Sequence, residues 1–184
     1  PIKSAAASDV YKRQVSATPI LPSDPRFECQ GFKIVEIQPT FEYKRPISIV
    51  QTNNVLEALK VILPQIKVQQ EQPRSICLFA NSVDMIHQLI SKLGIIDESA
   101  VFCAEKSVEK LKKKGVKRAY EHWDIKHKMP YMHFSSRFYT AVDVELEEQP
   151  DIIFITEPYF AEYTIIDPCT DAVPVSYTHL RAHE

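Results

Sequence analysis

YMHFSSRFYTAVDVELEEQPDIIFITEP, residues 131–158, is the stretch on which the reading of the fold turns. Tyr131–Phe134 and Ile152–Ile155 are apolar runs too short for helices and bounded by polar residues or proline, so each reads as a buried strand. Between them lie Ser135-Ser136-Arg137, a helix-like stretch over Phe138–Val144, and an acidic run at Glu145, Glu147 and Glu148 expected to be solvated. Strand, polar turn, helix, strand is the pattern of a parallel α/β unit. Ligands of such sheets sit outside the carboxyl ends of the strands. Ser135, Ser136 and Arg137 fall at that edge.

The same alternation continues upstream. Ser75–Ala80 (SICLFA) and Ala100–Ala104 (AVFCA) read as further buried strands. Val55, Leu56, Leu59, Ile62, Leu63 and Ile66 recur at helical spacing behind Asn53 or Asn54 as N-cap, and Pro64 is expected to kink or end that helix. Val83, Ile86, Leu89, Ile90 and Leu93 form the buried stripe of a second helix, capped by Asn81 or Ser82 and stopped by Gly94. A third helix, expected to start at Ser107, carries Lys106, Lys110, Lys112, Lys113 and Lys114 and stops at Gly115. Its lysines read first as a solvated face and, more sharply, as a phosphate contact. Four or more strands alternating with helices predict an α/β fold: a mainly parallel sheet with helices on both faces.

Composition narrows the function classes. The chain has 184 residues, enough for one domain with a core or for one domain plus pieces of another, and its 45% hydrophobic and 25% charged residues with a net charge of −2 are ordinary for a globular protein. Three glycines (Gly31, Gly94, Gly115) exclude a glycine-rich phosphate loop. Cys29, Cys77, Cys103 and Cys169 are widely spaced, so they suit reduced thiols of a cytoplasmic protein rather than a disulfide framework or a zinc site. His122 and His127 lack partners at metal-ligand spacing, and no metal site is predicted. Trp123 reads as a packing residue. No apolar run approaches the roughly 18 residues that span a bilayer, and no membrane partner is expected.

Pro1–Gln14 and the stretch from Pro174 to Glu184 lack periodicity and resemble adaptor-derived tails, so 1–14 and 174–184 are expected to be artefactual or disordered. Val15–Val50 reads differently. It holds the small-residue turn Ser16-Ala17-Thr18, a proline-rich connector, and strand candidates at Phe32–Ile37 and Ile47–Val50.

The order SAT, then SICLFANSV, then SSRFYTAVD resembles the superfamily 2 (DEAD/DEAH-box-like) helicases, from motif III to just past motif V, over about Val15–Val173. In detail it is most similar to a group of helicase-like proteins of Bacteroidetes. The resemblance implies that 15–50 is the end of a first RecA-like domain with its linker, and that 51–173 is a truncated C-terminal RecA-like domain. It places Ser16, Ala17 and Thr18 in the coupling motif and Phe79 in the strand of motif IV. Ser135 stands where motif V touches a nucleic-acid phosphate, with Ser136 and Arg137 beside it, and Asp143 where that motif approaches the nucleotide. Ala141 replaces the usual glycine, which adds a methyl and restricts φ. The implied partners are a DNA or RNA backbone and a missing N-terminal RecA-like domain. The implied cofactors, ATP and Mg²⁺, belong to the parent protein, and this chain alone is expected to bind neither. The alternative reading is a non-catalytic helicase-like or flavodoxin-like binding or scaffold module, although Asn81-Ser82 is thin for a flavin phosphate loop.

Phosphoryl transfer needs a phosphate cradle, a metal carboxylate and a stabilising arginine together. The chain has no phosphate loop and no acidic DExx-type motif before Ser16, and no Gln-x-x-Gly-Arg-x-x-Arg follows Val173. The purified chain is therefore expected to release no phosphate from ATP above a protein-free blank, and steady turnover contradicts this reading.

Overall fold

The computed structural model describes residues 47–139, 143–157, 162–167, 171–172, 175 and 180–182. The chain divides into two compact units, Pro1–Tyr43 and Lys44–Glu184, and every described residue belongs to the second. Ser16, Ala17, Thr18, Phe32–Ile37 and Ala141 lie outside the described residues.

In chain order the elements are α1 (Val55–Gln69), β1 (Ile76–Ala80), α2 (Val83–Lys92), β2 (Ser99–Phe102), α3 (Glu105–Lys113) and β3 (Ala119–Tyr120). They continue with β4 (Tyr131–Phe134), β5 (Val144–Leu146), β6 (Asp151–Ile155) and β7 (Leu180–Ala182). Single 3-10 turns stand at Ile96–Glu98, Ile125–His127, Ser136–Phe138 and Glu162–Thr164. Five strands form one sheet in the order β3-β2-β4-β1-β6, every neighbouring pair parallel. This is the predicted parallel α/β sheet. A second, two-stranded parallel sheet joins β5 to β7, so part of the 174–184 stretch takes regular structure.

Strand periodicity splits the core in two. On one face Ile76, Leu78, Ala80, Val101, Cys103, Tyr131 and Ile155 pack against Leu59 and Leu63 of α1, Ile86, Leu89 and Ile90 of α2, and Val108 and Leu111 of α3. On the other face Cys77, Phe79, Ala100, Phe102, Met132 and Phe134 pack against Phe138, Tyr139, Val144, Leu146, Ile166 and Val175. The helical cover is thus uneven. Among the described residues α1, α2 and α3 share one face, and the 3-10 turn at Ser136–Phe138, β5 and the segment holding Ile166 and Val175 serve the other.

One row of rings crosses the second face. The register places Tyr120 opposite Phe102, Phe102 opposite Phe134, Phe134 opposite Phe79, and Phe79 opposite Phe154. Centroid separations along the row are 5.8, 5.0, 5.0 and 5.3 Å, and the two Phe134 contacts are stacked. Trp123 packs 5.2 Å from Phe102 as a packing residue, and Phe138 lies 5.5 Å from Phe134.

Local expectations are corrected in five places. The helix of α1 does not end at Pro64 but runs on to Gln69 with Asn54 as its cap. Pro64 is exposed while Leu59 and Leu63 are buried, so the carbonyl left without a donor faces water and the buried stripe holds the helix together. Ile47–Val50 forms no strand. Ile49 is 92% exposed, and no described strand lies beside the segment to complete a ladder. The helix α3 starts at Glu105, two residues early, with Ala104 at its N-cap. Within the helix-like stretch Phe138–Val144, Phe138 belongs to a 3-10 turn and Val144 to β5, where Val144 and Leu146 are buried and Glu145 is exposed with the period of a strand, and residues 140–142 lie outside the described residues. Among the acidic residues there, Glu148 is half-buried and accepts from Lys128 Nζ at 2.7 Å, so it is not a free solvated charge.

Phe134 is stacked between two rings at the middle of the row and is fully buried, whereas Phe154 lies at the half-buried edge. Phe134→Ala is expected to lower unfolding free energy by about 3–5 kcal/mol in urea titrations, and Phe154→Ala by clearly less. Equal losses would contradict the central role of the row.

Candidate functional site

The carboxyl edge of the sheet begins immediately beyond the ring row. Tyr120 is followed by Glu121, Phe102 by Cys103, Phe134 by Ser135, Phe79 by Ala80 and Phe154 by Ile155. The parallel order makes these positions neighbours although they come from distant parts of the chain. Chain direction sets β4 apart from its two neighbours. β1 and β2 lead into α2 and α3 on the helical face, whereas β4, between them, leads into Phe138 and Tyr139 on the other face. Where adjacent strands send their connections to opposite faces, an α/β sheet opens a crevice at its carboxyl end. Ser135 stands at that point.

The backbone fixes Ser135 from both sides. Its N–H donates to the Phe102 carbonyl at 3.1 Å, and its carbonyl accepts from Phe138 N–H at 3.0 Å. Ser135 is buried, occupies the N-cap position of the 3-10 turn, and makes no side-chain capping bond. Ser136 and Arg137 are exposed on that turn. The Arg137 guanidinium donates from its Nη1 to Glu121 Oε1 at 2.9 Å. Arg137 holds the Glu121 carboxyl below its usual range, with His122, 3.8 Å away, acting in the same direction. Asp143 is exposed at the start of β5. Phe79 sits inside the ring row, as a strand core residue.

Two further polar side chains flank this edge. Asn81 donates from Nδ2 to the Ile165 carbonyl at 3.1 Å, while Ser82, rather than Asn81, caps α2 by accepting from Met85 N–H at 3.3 Å. The Asn81 Oδ1 and the Tyr139 hydroxyl are buried without a hydrogen-bond partner among the described residues. Burial pushes the Tyr139 phenol up, and Asp171 adds to the effect. Burial also pushes the Cys103 thiol up to about 11, although Arg137 pulls it the other way. A neutral thiol is a poor nucleophile, so this geometry does not present Cys103 as one.

The lysines of α3 are partly committed. Lys110 and Lys114 reach Asp84 at 2.6 and 2.8 Å, tying α3 to α2. Lys110 and then Lys114 hold the Asp84 carboxyl down to about 2. Among the described residues no cluster of three metal-ligating side chains occurs. No helix among them is long and apolar enough to cross a membrane.

Sequence reasoning missed Glu121. Its partner lies 16 residues away, and only the strand order, with β3 beyond β2 rather than beside β4, explains how the two side chains meet. It also passed over β3, whose two residues give no periodic signal.

No protein-family model matches the chain, no curated protein is significantly similar to it, and no solved structure is significantly similar to it.

His133 lies on the helical face of β4, fully buried, with Nε2 at 3.3 Å from Ser99 Oγ. Burial pushes its imidazole down to about 3 from an ordinary 6.5. Between those values the unfolded chain binds a proton that the folded chain refuses. This contribution to stability is therefore complete above pH 6.5 and falls by about 1.4 kcal/mol per unit as pH decreases. The loss begins above the range where carboxylates titrate. Unfolding free energy is expected to change little near neutral pH and to fall progressively toward that slope between pH 6.5 and about pH 5, and His133→Gln is expected to flatten the fall. An unchanged slope in the variant refutes the assignment.

Proposed function

We propose that this chain carries the C-terminal RecA-like domain, residues 51–173, of an ATP-dependent helicase or translocase of superfamily 2, and that its carboxyl sheet edge contacts a nucleic-acid backbone. The observation that carries the proposal is the position of Ser135-Ser136-Arg137. These three residues follow β4 at the point where adjacent connections leave for opposite faces. The exposed Ser136 hydroxyl and Arg137 guanidinium, with the Ser135 hydroxyl buried directly behind them, are donors of the kind that phosphate oxygens take, and such contacts position a strand without reading its bases.

The order of the stretches SAT, SICLFANSV and SSRFYTAVD along the chain supports the same reading. The parallel sheet suits a domain that meets its ligand at one edge. ATP and Mg²⁺ act in the parent protein, where the first RecA-like domain supplies the phosphate loop and acidic motif. This chain's part is confined to backbone contact through Ser135, Ser136 and Arg137 and to support of the nucleotide side through Asp143. The interaction is electrostatic in origin and hence salt-sensitive.

The test is fluorescence anisotropy of labelled oligothymidylate and oligouridylate titrated with the full chain at several salt concentrations. The wild-type chain is expected to bind weakly. Arg137→Gln is expected to weaken binding on the order of tenfold, and to reduce the salt slope by about 0.7 for the lost phosphate contact. Binding that is absent, or indifferent to Arg137, overturns the proposal.

A further inference from the structure

We infer that Glu121 is a built-in competitor for the phosphate site: its carboxylate occupies the Arg137 guanidinium when no nucleic acid is bound, and a backbone phosphate must displace it. This inference rests on the phosphate-contact reading of Ser135, Ser136 and Arg137.

The contact itself carries the argument. A carboxylate and a phosphate present the same planar or near-planar pair of oxygen acceptors to a guanidinium. Glu121 Oε1 takes the Arg137 Nη1 hydrogen at 2.9 Å, the geometry of a charge-assisted bond. The pair is open to water, with the Arg137 side chain 41% exposed and the Glu121 side chain 33% exposed. An ion pair this exposed is weak, so exchanging one anion for another costs little. It also sits on the edge itself. Glu121 follows the last residue of β3, and Arg137 belongs to the turn that follows β4.

Two consequences follow from this placement. With the site empty, Glu121 holds the guanidinium over the carboxyl edge of β2, between β3 and β4, rather than leaving it to sample solvent. With a strand present, the displaced carboxylate adds a repulsion next to the phosphate. Affinity is therefore held below what Arg137 alone would give. A domain that must release and re-engage a backbone at each step is served by such a contact, because weak phosphate binding shortens residence.

The test is a double-mutant cycle on the full chain, using the same labelled oligothymidylate and oligouridylate. Glu121→Gln is expected to tighten binding about two- to five-fold, the range set by the strength of an exposed ion pair. In the Arg137→Gln background the same change is expected to have little effect, because the competition needs the guanidinium. Glu121→Ala serves as a second variant, and far-UV circular dichroism checks the fold of each. If Arg137→Gln weakens binding but Glu121→Gln does not tighten it, the competitor role is overturned while the phosphate site stands. An equal gain in both backgrounds also overturns it, since that is general charge repulsion. If neither the wild type nor Glu121→Gln binds, the phosphate-contact reading fails and this inference fails with it.

Discussion

The row Tyr120–Phe102–Phe134–Phe79–Phe154 is the constraint on which the remaining architecture depends. One ring comes from each strand of the five-stranded sheet, and the register that stacks them is the register of the whole sheet. A slip of one residue in any strand would turn its ring to the helical face and an aliphatic or polar residue to the ring face. Each aromatic contact is worth about 0.5–1.5 kcal/mol beyond the apolar area it buries, so such a slip is penalised at every strand. His133 illustrates the cost of the arrangement. Its neighbours Met132 and Phe134 belong to the ring face, so the imidazole is committed to the helical face, where it is buried and neutral beside Ser99.

Because the rings occupy the last or next-to-last pleat of each strand, they also determine what stands at the carboxyl edge. Ser135 is placed next to the end of β2 by its bond to the Phe102 carbonyl, and Phe138 closes the following turn by packing back onto the row. Arg137 lies between those two anchored residues. Its side chain is directed toward the end of β3, where Glu121 meets it. Core packing and edge electrostatics are thus linked through one short segment, Phe134–Phe138.

Much of this was legible in the amino-acid order. Tyr131–Phe134 is a strand with the predicted bounds, and the apolar runs at Ser75–Ala80, Ala100–Ala104 and Ile152–Ile155 are strands within a residue or two at their ends. These runs are short, strongly apolar and flanked by polar caps, so local signal was enough. The failures have physical causes. Pro64 is tolerated because tertiary burial of Leu59 and Leu63 outweighs a lost backbone bond on the solvent side. Val144 ends a stretch that reads as helix-like but belongs to β5, because β7 supplies a ladder from Leu180–Ala182 that no local reading anticipates. The Arg137–Glu121 pair was hidden for a similar reason. Acids close in sequence, such as Asp143 and Glu145, are what local reading offers Arg137, whereas Glu121 becomes adjacent only once β3, β2 and β4 are placed side by side.

The central claim is that the edge formed by Ser135–Arg137 is where this chain meets a nucleic-acid backbone. The most direct measurement is an NMR titration of the isotope-labelled full chain with single-stranded oligothymidylate, followed by oligouridylate. The account predicts amide shifts concentrated at Ser135, Ser136 and Arg137, extending to Glu121 and His122 across the edge. Shifts centred instead on the α3 lysines, or no shifts at all at saturating oligonucleotide, would contradict it.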